Sequence, residues 1–215
     1  MYIDNCHSMF KYENELWNDG IANIAGIDEV GRGPIAGPVV AAAVVIPKGI
    51  DFPAVDDSKK LTERQRKILQ KMIKEVPGIM YAIAEVQVEE IDRLNILRAS
   101  QLAMKKAVSK IIEADFALID GLPVAEFPLP SIALVKGDSK SASIAAASIL
   151  AKVYRDEIME RYALEYPEYG FEKHKGYGTA YHLDAIKKYG PSPIHRKTFA
   201  PVKNYFEKPE LGGLK

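Results

Sequence analysis

Cysteine is nearly absent from this sequence, which has 215 residues and a single cysteine, Cys6. One cysteine excludes an internal disulfide framework and favours a reducing compartment. Long apolar runs are also absent: the longest, residues 35–46, contains Pro38 and has about half the length that a membrane span requires. The N-terminal residues provide neither a basic segment nor an apolar one, so no signal peptide is expected. These absences predict a cytoplasmic protein that does not enter a membrane.

An excess of positive charge is missing as well, since 29 basic residues balance 29 acidic ones. Nucleic-acid-binding proteins usually carry a basic excess, so this balance argues weakly against that class. The local distribution points the other way. Between residues 173 and 203 the single acid is Asp184, and the basic residues are Lys173, Lys175, Lys187, Lys188, Arg196, Lys197 and Lys203. This segment forms either a basic binding patch or an ordinary solvated helix face.

The remaining composition is that of a globular protein, with 47% hydrophobic and 27% charged residues. We interpret residues 1–215 as one domain and expect a monomer. Apolar runs bounded by turn residues predict strands at residues 24–28, 39–46, 80–86, 116–119 and 132–135. Helical periodicity with capping signals predicts helices between Thr62 and Pro77 and at residues 95–112, 143–161 and 179–189.

The connections between these elements predict the topology. Short links between the first three strands favour an antiparallel meander, and the helical crossover before the fourth strand favours a parallel neighbour. The sequence therefore predicts an α/β fold, in which a mixed five-stranded sheet is flanked by helices. A helical C-terminal part is expected to begin at about residue 165.

Acidic residues follow three of the predicted strands directly. The first strand runs into Asp28 and Glu29, the fourth into Asp120, and the fifth is followed by Lys136, Gly137 and Asp138. In an open α/β sheet, ligands bind outside the carboxyl ends of the strands. Taken singly, each acid is more often a turn former or a helix cap. Three acidic strand ends at the same topological position favour a shared site.

A shared carboxylate site needs cations, because like charges at short range raise one another's pKa values. Oxygen ligands favour Mg²⁺ or Mn²⁺, whereas Zn²⁺ would favour histidine or cysteine. No pair of the four histidines has the spacing of a zinc-binding helix. A carboxylate cluster that holds two divalent ions is the arrangement used for in-line phosphoryl chemistry. Next to it, the turn Gly31-Arg32-Gly33 can bring backbone N–H groups and a guanidinium close to a phosphate.

Several separate motifs together resemble the ribonuclease HII family. The first is Asp28-Glu29-Val30-Gly31-Arg32-Gly33-Pro34, followed by Ala36-Gly37-Pro38-Val39. Further matching segments are Asp57-Ser58-Lys59-Lys60-Leu61, Lys136-Gly137-Asp138, residues 145–153, His174-Lys175-Gly176-Tyr177-Gly178-Thr179, His195-Arg196 and Phe199. The resemblance covers about residues 22–202, and the related ribonuclease HIII family fits less well because its residues after the acidic pair differ.

The resemblance implies an RNase H-like fold and a metal-dependent endonuclease. The implied substrates are RNA–DNA hybrids and duplex DNA with an embedded ribonucleotide. The implied cut in the duplex lies on the 5′ side of the ribonucleotide and leaves 3′-hydroxyl and 5′-phosphate ends. It places the catalytic, metal-binding carboxylates at Asp28, Glu29, Asp120 and Asp138, with Mg²⁺ or Mn²⁺ as the cofactor and two ions expected with substrate.

The resemblance also implies a substrate-binding set, with Gly31, Arg32 and Gly33 in the turn after the acidic pair and Tyr177 as the residue that senses the ribonucleotide. Lys152 and Lys175 are expected to contact the nucleic-acid backbone. Two other functions compete: a non-catalytic nucleic-acid-binding module of the same fold, and a metal-dependent phosphatase that acts on small molecules.

Overall fold

The computed structural model describes residues 9–50, 52 and 61–207. Cys6 and the Asp57-Ser58-Lys59-Lys60 part of the family pattern lie outside these ranges. The strands are β1 (Ile24–Val30), β2 (Val39–Val45), β3 (Met80–Val86), β4 (Phe116–Asp120) and β5 (Ser131–Leu134). The helices are α1 (Lys11–Asn18), α2 (Glu63–Glu75), α3 (Val88–Leu94), α4 (Ile96–Val108), α5 (Ala142–Glu165), α6 (Phe171–His174) and α7 (Ala180–Tyr189). Short 3₁₀ turns lie at Gly137–Ser139, Pro167–Tyr169 and Val202–Tyr205.

The five strands form one mixed sheet in the order β3-β2-β1-β4-β5. β1, β2 and β3 pair in antiparallel fashion, whereas β4 is parallel to both β1 and β5. The predicted fold class and strand directions are thus confirmed. The first strand is longer than predicted, because it continues through Asp28 and Glu29 to Val30.

The centre of the sheet is buried on both faces, since every residue of β2 is buried. Successive side chains of a strand point to opposite faces. On one face, Val39, Ala41, Ala43 and Val45 belong to a core cluster that includes residues of α4. On the other, Val40, Ala42 and Val44 belong to a cluster built largely from α5. Burial on both faces explains why these strands are continuous apolar runs.

The first turn of helix α5 packs directly on β1. A Cβ atom at Gly26 would lie only 2.1 Å from the main-chain carbon of Ser143, so this strand position has no room for a side chain. Ser141 caps the helix by accepting a hydrogen bond from the Ile144 N–H. The buried Glu13 of α1 accepts hydrogen bonds from the Ser141 hydroxyl and the Ser143 N–H. The start of α5 is therefore held at a defined position above the strand that carries Asp28.

The helix signals in the sequence correspond to the observed helix starts. Thr62 and Gln65 form the predicted capping box, and Asn95 and Thr179 cap α4 and α7. Several elements differ from the prediction. Helices α1, α3 and α6 were not predicted, and α5 continues to Glu165 rather than ending near residue 161. Helix α4 ends at Val108 rather than near residue 112 because tight turn hydrogen bonds from Lys110 and Ile111 close its last turn. Within the described part of the chain, no helix has both the length and the apolar character needed to cross a bilayer.

Candidate active site

An open cleft lies at the carboxyl ends of β1 and β4. The residues that line it in the described part of the chain are Asp28, Glu29, Val30, Arg66, Asp120, Ser148, Lys152 and Tyr177. They come from both strands, from α2 and α5, and from the loop before α7. This is the position at which α/β sheets bind ligands.

The ladder between β1 and β4 explains why the cleft opens there. Their pairing extends from Ile24 opposite Phe116 to Ile27 opposite Ile119. Beyond Ile27, β1 continues along β2, where Asp28 lies opposite Ala42 and Glu29 opposite Ala41. Asp28 and Glu29 thus follow the last β1–β4 pair on one strand, and Asp120 follows it on the other.

Asp28 is the electrostatic centre of the cleft. Burial of its side chain raises the pKa of Asp28 well above the ordinary carboxyl range, and the negative charges of Glu29 and Asp120 raise it further. Hydrogen bonds from the Ser148 side chain and from the Glu29 N–H, the latter at 2.7 Å, oppose this shift. In the absence of a cation, the folded protein therefore disfavours the ionised form of Asp28.

Glu29 is more accessible and has a cationic partner. Burial raises the pKa of Glu29, and Arg32, whose Nη1 lies 3.2 Å from Glu29 Oε1, opposes that shift. The Arg32 side chain is half exposed. The arginine therefore stands at the mouth of the cleft, where a substrate phosphate can compete with Glu29 for it.

The other two predicted carboxylates are linked through one turn. The Gly137 N–H donates a hydrogen bond of 2.6 Å to Asp120 Oδ1. Asp138 is the next residue in the 3₁₀ turn and is only 3% exposed. Its side chain is not among those that line the cleft in the described ranges. The structure therefore brings Asp28, Glu29 and Asp120 together and places Asp138 buried next to the Gly137–Asp120 contact.

The donor set suits a hard divalent cation. Carboxylate and hydroxyl oxygens line the cleft, and the described lining contains no histidine or cysteine. In the described part of the chain, no three His, Cys, Asp or Glu side chains already form a group that could hold an ion. A bound cation would offset both the burial and the neighbouring negative charges that raise the pKa of Asp28. The residues fit a divalent ion, provided that their side chains rearrange around it.

Two buried arginines hold the loop that follows β1. Arg196 donates from Nε to the Gly37 carbonyl at 3.0 Å, from Nη1 to the Arg32 carbonyl at 3.1 Å, and from Nη2 to the Gly31 carbonyl. Arg155 of α5 donates to the carbonyls of Pro38, Ala36 and Lys175. Burial lowers the pKa of Arg155 to about 10 and that of Arg196 to about 9, so both remain cationic at neutral pH.

The contacts of Arg155 and Arg196 constrain the conformation of the Gly31–Gly33 turn. Gly31 has a φ of +97°, and a Cβ atom there would lie 2.3 Å from Arg155 Nε. In a trans peptide, the carbonyl and the following N–H point in opposite directions. Because Arg196 binds the carbonyls of Gly31 and Arg32 from the interior, the N–H groups of Arg32 and Gly33 point away from it.

Tyr177 lies against this turn. A Cβ atom at Gly33 would approach the Tyr177 ring to 3.3 Å at Cε1, and the tyrosine is 47% exposed. The Gly176 carbonyl accepts a hydrogen bond from the Ile35 N–H, which joins the two loops. The predicted glycine turn and the predicted tyrosine are thus neighbours at the edge of the acidic cleft.

The two predicted backbone-binding lysines are both in ion pairs. Lys152 lines the cleft and contacts Asp156 at 2.7 Å, while Lys175 contacts Glu160 at 2.8 Å and lies outside the described lining. The predicted basic segment needs one correction. Arg196 is fully buried and bound to main-chain carbonyls, so it does not belong to an exposed patch, whereas Lys173, Lys187, Lys188, Lys197 and Lys203 are exposed.

Sequence reasoning missed several residues of the site. Arg66 and Ser148 line the cleft, and neither was assigned a role. Arg155 binds the loop after β1, but in the sequence it is indistinguishable from the other charged residues of a long helix. The position of Ser148 in the alanine-rich segment was a signal that could have identified it. The sequence contained no such signal for Arg66, because α2 reaches the cleft only through tertiary packing.

The mixed five-stranded sheet with its flanking helices is an RNase H-like fold. A ribonuclease H2 from Pyrococcus horikoshii OT3 has a similar structure, with a TM-score of 0.72 and 29% identity over 85% of this chain and 96% of that one. The structure of Bst-RNase HIII in complex with Mn²⁺ matches with a TM-score of 0.67 and 20% identity over 86% of this chain and 69% of that one, which supports the fold alone.

The sequence comparison is more specific. The family model for ribonuclease HII matches residues 25–202. The ribonuclease HII of Chlamydia trachomatis serovar L2 is 51% identical over 193 residues, which cover 89% of this chain and 88% of that protein. The chain belongs to the ribonuclease HII family, whose members are endonucleases that hydrolyse phosphodiester bonds. The predicted family is confirmed.

The buried arginines generate a stability prediction. Arg196→Lys removes the fork that serves three carbonyls, and we expect the free energy of unfolding to fall by about 3 kcal/mol because buried carbonyls lose their donors. Denaturant unfolding measures the change. Arg93→Lys, at an exposed ion pair, is the matched control and should change stability by less than about 0.5 kcal/mol. Equal stability of the two variants would contradict the proposed grip on the loop.

The acidic cleft generates a pH prediction. Because the pKa of Asp28 is higher in the folded than in the unfolded chain, its contribution to stability is lost as the pH rises through the folded pKa. Asp28→Asn should therefore raise the unfolding midpoint by a few degrees at pH 8 in chelator, and the gain should vanish below the ordinary carboxyl pKa of about 4. Thermal unfolding across this range measures it, with the exposed Asp184→Asn as the control. A loss of stability at pH 8 would show that the ionised Asp28 does not destabilise the folded protein.

Proposed function

We propose that this protein is a ribonuclease H that cleaves the RNA strand of RNA–DNA hybrids and incises duplex DNA on the 5′ side of an embedded ribonucleotide. The products are 3′-hydroxyl and 5′-phosphate ends. The observation that carries the proposal is the convergence of Asp28, Glu29 and Asp120 in one cleft, with Tyr177 at its rim, in a chain of this family.

The carboxylates are proposed to hold Mg²⁺ or Mn²⁺. Asp28, Glu29 and Asp120 would be ligands, and Asp138 is proposed as the fourth from the adjacent turn. Two such ions, when bound, would activate the attacking water and stabilise the departing 3′-oxygen. A neighbour of the same fold, Bst-RNase HIII, has a structure in complex with Mn²⁺, which supports a divalent cofactor but not the individual ligands. The chain itself contributes the side-chain hydrogen bond from Ser148 that orients Asp28.

Discrimination of RNA from DNA requires a contact to the 2′-hydroxyl, which both donates and accepts hydrogen bonds. The N–H groups of Arg32 and Gly33 point away from Arg196, and the lack of a side chain at Gly33 allows a sugar to approach them. The exposed ring of Tyr177 lies beside Gly33 and offers an apolar surface for the same sugar. We assign ribose sensing to this pair of loops.

Basic residues around the cleft suit a phosphodiester backbone. Arg66 and Lys152 line the cleft, Arg32 pairs with the cleft residue Glu29, and Lys175 precedes Tyr177 by two positions in the chain. Arg32, whose side chain is half exposed, can exchange its contact with Glu29 for a phosphate oxygen at little cost. The exposed lysines of the C-terminal part extend the positive surface that a duplex requires.

A direct assay tests the function. A labelled DNA duplex with one ribonucleotide is incubated with the protein and Mg²⁺, Mn²⁺ or chelator, beside an RNA–DNA hybrid and an all-DNA duplex. We expect metal-dependent incision 5′ to the ribonucleotide, cleavage of the hybrid, and no cleavage of all-DNA. Asp120→Asn should abolish both activities while its circular dichroism spectrum stays unchanged. Tight duplex binding without cleavage would instead establish the non-catalytic binding module.

The role of Tyr177 is tested separately. Tyr177→Ala removes the ring beside Gly33, and we expect kcat/KM at a single ribonucleotide to fall by about tenfold to a hundredfold because the sugar loses its positioning surface. Tyr205→Ala is the matched control, since Tyr205 is 48% exposed and lies in the short turn at Val202–Tyr205. Unchanged incision by Tyr177→Ala would refute the sugar-packing role.

A further inference from the structure

Three histidine rings lie in contact with one another next to the Tyr177 loop. His174, His182 and His195 are 9%, 0% and 1% exposed. The rings of His174 and His182 are stacked with centroids 4.3 Å apart, and His182 Nε2 lies 2.9 Å from His195 Nε2. The carboxylates of the cleft are not part of this cluster, so the chemistry proposed above gives the histidines no role.

The hydrogen bonds determine which nitrogen of each ring carries the proton. The Ser192 N–H donates to His195 Nδ1 at 2.8 Å, so the proton of neutral His195 lies on Nε2. The Tyr177 carbonyl can only accept, and it lies 2.9 Å from His182 Nδ1, so His182 carries its proton there. His182 Nε2 is then the acceptor for His195 Nε2–H, which makes the three contacts mutually consistent.

The hydrogen bonds of His174 determine its tautomer in the same way. The Gly176 N–H donates to His174 Nδ1 at 3.2 Å, and His174 Nε2–H donates to the Tyr169 carbonyl at 2.8 Å. Burial lowers the pKa of His174, and it lowers those of His182 and His195 to about 4, so all three rings are neutral at pH 7. Every ring nitrogen already has a partner, and this excludes the cluster as a metal site.

We propose that His195 and His182 are positioning residues for Tyr177, through a directional relay from the Ser192 N–H to the Tyr177 carbonyl. The relay starts in the segment that also carries Arg196, which binds the carbonyls of Gly31 and Arg32. One short segment thus holds both sides of the contact between Gly33 and the Tyr177 ring. The proposal rests on the proposed role of Tyr177 in ribose sensing.

The tautomers are the first test, and they do not depend on activity. Long-range proton–nitrogen-15 correlation spectra of the labelled full chain at pH 7 distinguish Nδ1–H from Nε2–H rings. We expect Nδ1–H for His182 and Nε2–H for His174 and His195. His195→Met removes the donor to His182 Nε2 and should change the chemical shift of that nitrogen, while the Tyr177 carbonyl keeps the proton of His182 on Nδ1. An Nε2–H or cationic His182 in the unmodified chain would overturn the relay.

The second test is selectivity, measured as kcat/KM for a single ribonucleotide divided by kcat/KM for an RNA–DNA hybrid. His182→Phe keeps an aromatic ring but donates nothing to Tyr177, and we expect the ratio to fall about tenfold. His182→Asn can place an N–H near the Nδ1 position and should restore most of the ratio. Tyr169→Phe alters the same aromatic cluster, removes only the bond to the Gly190 carbonyl, and should leave the ratio unchanged.

The outcomes separate the two proposals. An equal loss on both substrates in His182→Phe, or an unchanged ratio, would reduce the histidines to a structural role and overturn the inference. If His182→Phe does not fold, His195→Met carries the same test of the ratio. Absence of any cleavage by the unmodified chain would refute the proposed function, while the tautomer spectra would still test the relay.

Discussion

The site depends on the hydrogen bonds made by two buried guanidinium groups, those of Arg155 and Arg196. A buried guanidinium is tolerated only when its donors are bonded, and here Arg155 and Arg196 bind main-chain carbonyls of the loop after β1 and of Lys175. The burial of the arginines and the shape of the loop therefore require each other. Because Arg196 comes from the C-terminal part of the chain, that part contributes directly to the shape of the loop after β1.

The acidic cleft illustrates a cost in stability that a binding site can impose. Asp28, Glu29 and Asp120 lie where the β1–β4 ladder has ended, and their mutual repulsion opposes ionisation of the buried Asp28. A chain selected for stability alone would place apolar residues there. A cation-binding role accounts for the arrangement, since a bound divalent ion turns the same repulsion into coordination.

The proposed ribose-sensing surface has two halves that are distant in sequence but share one support. Gly33 follows β1, and Tyr177 precedes α7, yet the segment that contains His195 and Arg196 binds the first loop directly and the second through His182. An isolated antiparallel β-bridge between Ala36 and His195 also joins this segment to the loop after β1. A site that must distinguish one hydroxyl group needs such rigidity, because a displacement of about 1 Å is enough to lose a hydrogen bond.

Local sequence determined the elements and their directions. Strand periodicity, the caps at Thr62 and Asn95, and the crossover before β4 are short-range signals, and the parallel pairing then brings the strand ends with Asp28 and Asp120 to one edge. Tertiary structure alone decided that β1 extends to Val30, that Arg66 reaches the cleft, and that Arg196 is buried. The reason is physical: Arg196 binds the Gly31 carbonyl, 165 positions away in the chain, and no local pattern encodes a contact of that range.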